Sequence, residues 1–228
     1  MPFTPLNTHI WHLISKNFFI FEREPLTTLY MKWKITSTAV LLFWLFPVYS
    51  NAQQPDPVVF KISEGDVLVY DVRDKGDLYY FMVTVKEYKN SILFDWEMTE
   101  PMNKKGSVEI RPKALSNSKE LVNYVKEAPV VLEDKTIVWL SRNMFKEITG
   151  GSVPDITFDG KAGNKMTVTG NSKQNIQYKG KSLEVDVVEV TNNQSFFDLK
   201  KLAILNSSDN PLIVRMNIGF TVELVEVR

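Results

Sequence analysis

Apolar and polar residues alternate along much of this chain, and a period of two marks strands that bury one face. The clearest case is Ile92 to Thr99. Phe94, Trp96 and Met98 fall on one side, and Asp95, Glu97 and Thr99 on the other. Burying the three apolar side chains contributes roughly 1.5–3 kcal/mol each before entropy. Val67 to Val72 and Leu78 to Glu87 read as a hairpin around Arg73-Asp74-Lys75-Gly76-Asp77, with Gly76 free to take a positive φ. Gly106 to Ile110 is a further short strand, stopped by Pro112.

Helical spacing is rare. Leu115, Leu121, Val122 and Val125 predict one helix, with Asn117 and Glu120 as a capping box and Pro129 as its end. Thr136 to Leu140 reads as a strand. Ser141 then caps a short helix through Ile148, closed by Gly150-Gly151. The rest is β again: Asp155 to Phe158, Lys165 to Thr169, Ile176 to Tyr178, Ser182 to Thr191, Ser195 to Leu199, Leu202 to Leu205, Leu212 to Ile218 and Phe220 to Val227. Asp159-Gly160, Lys179-Gly180 and Ser207 to Pro211 punctuate these runs. Short strands at this spacing predict a mostly-β fold: one curved antiparallel sheet, a half-barrel or open barrel, with one or two short helices. Two halves split near Gly150 would each hold a marginal core, so residues 60–228 are expected to form a single domain.

The amino-terminal pattern is of another kind. Met31-Lys32-Trp33-Lys34 is a basic start, and Ile35 to Phe46 is an apolar run of about twelve residues. Pro47 breaks it, and Ser50-Asn51-Ala52 supplies the small residues of a cleavage site, with Gln53 as the first mature residue. Residues 31–52 are therefore expected to be a signal peptide, residues 53–59 an extended leader, and the mature protein periplasmic or secreted. The alternative is an amino-terminal membrane anchor, against which the run is short for a span of about seventeen residues or more. Residues 1–30 precede a convincing start at Met31 and are expected to be an upstream artefact or extension.

Composition narrows the chemistry. The 27 basic and 27 acidic side chains balance, which excludes the basic footprint of a nucleic-acid binder. Hydrophobic content of 44% excludes a disordered chain. There is no cysteine, and both histidines, His9 and His12, leave with the amino-terminal segment. Disulfides, thiolate metal sites, a lipidated cysteine, Ser-His-Asp triads and histidine-based zinc catalysis are thereby excluded from the mature chain. Phosphate-binding loops and nucleophile elbows are absent from the sequence.

The remaining polar candidates have plainer explanations. Asp95 and Glu97 share a strand face as a carboxylate pair would, but alternation alone puts them on a solvated surface. Asp71, Asp74 and Asp77, and Asp155 with Asp159, cluster at turns without calcium-loop spacing. Ser116 and Lys119 form a bare S-x-x-K without its companion motifs. The sequence thus assigns no catalytic residue, no metal ligand and no cofactor.

The aromatics say more. Tyr79, Tyr80, Phe81, Phe94, Trp96, Trp139, Phe145, Phe196, Phe197 and Phe220 are many for the mature length. A curved sheet with an aromatic concave face can hold a lipid or other apolar ligand. Phe94, Trp96 and Met98 are the residues expected to bind it. The second candidate surface is a sheet edge at Leu212, Ile213 and Val214, guarded by Pro211, where an envelope protein would add a strand.

Glu64-Gly65-Asp66-Val67-Leu68-Val69-Tyr70 leading into a long hairpin, the strand from Lys181 to Val185, and the closing pair from Pro211 to Val227 resemble the DUF3108-like exported proteins. That family often carries Gly-Glu-x-Leu-x-Tyr in its first strand; here the order is Glu64-Gly65. The resemblance implies an architecture similar to the LolA-like half-barrel, whose members ferry lipid moieties, and brings no catalytic residues with it. An exported, non-catalytic binding or carrier module is the function this implies, with a strand-adding assembly protein as the alternative and a carboxylate hydrolase behind both.

Overall fold

The computed structural model describes residues 58–123, 126–192 and 199–228. The expected cleavage site at Ala52 and Gln53, and the aromatics Phe196 and Phe197, lie outside the described residues.

The first four strands form an antiparallel meander: β1 (Val67–Asp74), β2 (Asp77–Tyr88), β3 (Ile92–Met98) and β4 (Lys105–Ile110). The β1–β2 turn has the form expected, with Lys75 and Gly76 both at positive φ, 48° and 102°. Helix α1 (Pro112–Asn117) follows, then β5 (Glu120–Leu121), β6 (Val130–Leu132), β7 (Lys135–Thr136) and helix α2 (Arg142–Thr149). The second β region holds β8 (Asp155–Phe158), β9 (Lys161–Tyr178), β10 (Lys181–Asn192), β11 (Lys201–Leu205), β12 (Ile213–Asn217) and β13 (Thr221–Val227).

All thirteen strands join in one sheet, in the order β6-β4-β3-β2-β1-β13-β12-β11-β10-β9-β8-β5-β7. A mostly-β curved sheet with two short helices is what the patterning predicts. Short parallel ladders make it mixed: β4 with β6, β5 with both β7 and β8, and β13 with β9. One edge of β13 ladders to β1. Its other edge is shared, with Thr221 to Glu223 on β12 and Glu226 and Val227 on β9.

The sheet is buried on both faces at Val187 and Val188 of β10, Leu202 to Leu205 of β11, and Ile213 and Val214 of β12. Val187, Ala203 and Val214 join the larger core with Leu68, Phe94 and Trp139, while Val188, Leu202, Ile204 and Ile213 join a second core beneath α2. Helix α2 docks there through Met144, Phe145 and Ile148. Its cap is the expected one: the Ser141 hydroxyl accepts from the Met144 N–H at 3.2 Å and donates to the Ser118 carbonyl at 2.6 Å.

Four expectations need correction. The helix near Leu115 begins earlier and stops sooner. Pro112, fixed near helical φ and lacking an N–H, starts α1 at once, so Asn117 is its last residue rather than its cap. Ser118 then turns the chain, its hydroxyl oxygen 2.8 Å from the carbonyls of both Glu120 and Asp134, which share its one proton, and Leu121 enters a strand. Second, the strand at Thr136 to Leu140 ends at Thr136. Third, Lys165 to Thr169 and Ile176 to Tyr178 are parts of one eighteen-residue strand, β9. The polar run between them hides the strand because it is exposed, and a bulge beside Gly170 absorbs one residue. Fourth, Leu212, Ile213 and Val214 are not an edge. Strand β12 lies between β11 and β13, and the three residues are 0%, 4% and 0% exposed. Their unbroken apolar run is the mark of a strand covered on both faces, which Pro211 at its start obscures.

Candidate functional site

The concave face of the meander is built from cross-strand rows. Nearest the β1–β2 turn, Tyr79, Val72, Val222 and Met216 stand side by side on β2, β1, β13 and β12. The next row is Met98, Phe81, Tyr70 and Leu224. Behind it come Gly106, Trp96, Val83, Leu68 and Val227, and then Val108, Phe94 and Val85. The period-two alternation of each strand aligns these residues on one face.

The trough above these rows is filled at one end and empty at the other. Trp139 lies against Phe94 and Tyr88, with ring centroids 5.8 and 6.2 Å away, and is 1% exposed. Over the first two rows there is instead a cavity of about 270 Å³. The sheet side supplies Tyr70, Phe81 and Met98, with Trp96 at the boundary row; Leu121, Val122, Ile137 and Val138 form the opposite wall. Its charged and amide groups are Asp74, Lys104, Asn123 and Glu127. Such a lining, apolar with few polar groups, is typical of small-molecule sites, and the volume is near the lower end of their range.

Of the three residues expected to meet a ligand, Trp96 and Met98 line this cavity, while Phe94 is packed beneath Trp139. Sequence reading does not assign Tyr70, Phe81 and Met216 to the site; the first two stand beside Met98 on the neighbouring strands of the meander, and Met216 comes from β12, distant in the chain. It also misses the opposite wall, where sequence patterning predicts other elements. Ile213, taken for an edge residue, lines the cavity from β12.

Trp96 covers Gly106, its partner across the β3–β4 ladder: a Cβ on Gly106 would lie 2.9 Å from the indole Nε1. That indole N–H is buried and has no hydrogen-bond partner among the described residues. The Tyr70 hydroxyl, by contrast, donates to the Ile213 carbonyl at 3.0 Å, and burial pushes its pKa strongly up. At the rim, burial and the nearby Asp74 and Asp77 carboxylates raise the Tyr79 phenol.

Of the polar candidates, Asp74 stands in the cavity lining; the carboxylate pair, the S-x-x-K serine and Asp155 are occupied otherwise. Asp95 faces the other side of β3 and pairs with Lys86 at 3.2 Å. Ser116 accepts from the Arg142 guanidinium at 3.0 Å, and the Asp155 carboxylate accepts from the Gly163 N–H at 2.7 Å. Among the described residues no group of three or more histidine, cysteine, aspartate or glutamate side chains is placed to hold a metal ion. No protein-family model, curated protein or solved structure matches this chain.

Proposed function

We propose that this chain is an exported envelope protein that acts as a non-catalytic binding or carrier module, holding an apolar ligand in the cavity beside Trp96. The observation that carries this reading is the cavity itself: an unfilled space of about 270 Å³ on an otherwise packed concave face, lined by aromatic, aliphatic and methionine side chains. Methionines suit such a role because their unbranched, polarizable side chains adapt to differently shaped apolar partners. Export rests on the segment from Met31 to Gln53.

The test is native mass spectrometry of the protein recovered from the periplasm of a Gram-negative host, followed by titration with apolar probes. The expected result is a chain beginning at Gln53 with an added mass that dissociates as a small apolar molecule. A bare chain that also binds no probe would overturn the reading.

Strand addition has less support once β12 is placed inside the sheet. From Met166 to Ile176, β9 ladders only to β10, which gives that reading a different edge. A bulge and the charge of Lys173 occupy its middle, both of which discourage an added strand.

A further inference from the structure

Two of the cavity's three charged groups stand together at one end, and the third, Glu127, reaches the lining from the segment before β6. Asp74 and Lys104 lie where β1 ends and β4 begins, at the same end of the sheet. The deep end is Tyr70, Trp96, Ile137 and Val138, none of them charged. An occupant that satisfies both ends carries a polar head at the rim and an apolar tail inside.

Directly beyond the deep end stands Trp139. Phe94, which it covers, is the next same-face residue along β3 from Trp96. Several independent contacts fix it there. Its indole N–H donates to Asn210 Oδ1 at 3.0 Å, an acceptor shared with the Tyr88 hydroxyl at 2.7 Å. Its backbone bridges to Leu212. Val138 before it has φ of +66°, and the Trp139 N–H donates to the Ile137 carbonyl at 2.7 Å. That is a three-residue turn of the rarer, strained hand, at a β-branched residue that seldom adopts it. The Val138 carbonyl accepts from the Ile213 N–H at 2.8 Å, which holds the turn closed. Backbone strain of this kind persists where the surroundings over-determine it, often at ligand clamps.

Given the cavity as a ligand site, we propose that it takes the tail of a single-chain amphiphile and that Trp139, held by the turn at Val138, sets the limit on tail length. Trp139 is a specificity-determining stop: it closes the trough that would otherwise run on over Phe94.

Straight-chain 1-alkanols from hexanol to hexadecanol, titrated against the protein by calorimetry, test this. Affinity should rise roughly fourfold for each added methylene and then stop rising, as the tail reaches the stop. In Trp139→Leu the limit should move to longer chains by roughly two methylenes, the volume given up by the indole. Met98→Trp, which fills the cavity from the second row, should move it to shorter chains. If no alkanol binds the unaltered protein, the cavity reading itself fails. If alkanols bind and folded Trp139→Leu keeps the original limit, the role of Trp139 fails while the cavity reading stands. Should Trp139→Leu not fold, an unchanged limit in Met98→Trp overturns the length rule.

Discussion

Trp96 and Gly106 act as one unit. The glycine leaves room for the indole to lie across the β3–β4 ladder, and no larger residue fits beneath it. Gly106→Ala should cost about 1–3 kcal/mol in urea denaturation and shift tryptophan emission, because the added carbon must displace the ring. Trp96→Phe should behave differently. It keeps an aromatic cover and removes a buried N–H that lacks a partner among the described residues, a defect worth about 1–3 kcal/mol. Its measured stability should fall by less than about 1.5 kcal/mol, whereas Trp96→Ala should lose about 3–5 kcal/mol. Two residues of the candidate site were legible at this scale: the alternation from Ile92 to Thr99 places Trp96 and Met98 on a buried face. That Phe94 would be plugged by Trp139 while Met98 borders open space depends on residues far along the chain, and no local pattern carries it.

At the scale of elements, what hydrophobic periodicity and X-Gly turns could decide agrees with the structure. The hairpins at Lys75-Gly76, Asp159-Gly160 and Lys179-Gly180 form where those dipeptides stand. Ser141 caps α2 as its position before Met144 implies. The errors came where tertiary contacts overrule the local signal. Leu115 to Val122 has helical spacing, yet the Ser118 hydroxyl and the pairing of Leu121 with Thr136 and Phe158 take the chain into the sheet. The segment after β7 shows the same override. Val138 is β-branched and reads as strand, but sits in a left-handed turn. This reverses a usual order of substitutions. Val138→Ala keeps the unfavourable φ, which costs about 1–2 kcal/mol, and loses side-chain burial. Val138→Gly loses the burial and is released from that cost. In thermal or chemical denaturation Val138→Gly should therefore be the more stable of the two by about 1 kcal/mol or more.

For the whole molecule, buried phenols set a limit on the alkaline side. Burial raises the Tyr88 pKa to about 12 and that of Tyr70 further. Both hold their protons more tightly folded than unfolded, where tyrosine titrates near pH 10. Their contribution is intact below about pH 10 and is lost as pH rises through 12, so stability should decline across that window. Denaturation midpoints at about pH 9 and pH 11 should differ, and by less in Tyr88→Phe. The segment ahead of β1 is tied down at the end of that strand opposite the cavity rim: the Tyr178 hydroxyl donates to the Lys61 carbonyl at 2.8 Å, and Lys179 pairs with the buried Asp66 at 3.0 Å. The shared strand β13 has a consequence for biogenesis. Tyr70 finds its partner Leu224 only after residue 224 has been synthesised, and Gln177 its partner Glu226 only after residue 226. Every earlier length of chain lacks the strand that joins the meander to the second β region, and pairing across such sequence distances is slow. A chain cut short of β13 should therefore leave its meander and its second β region without a ladder between them.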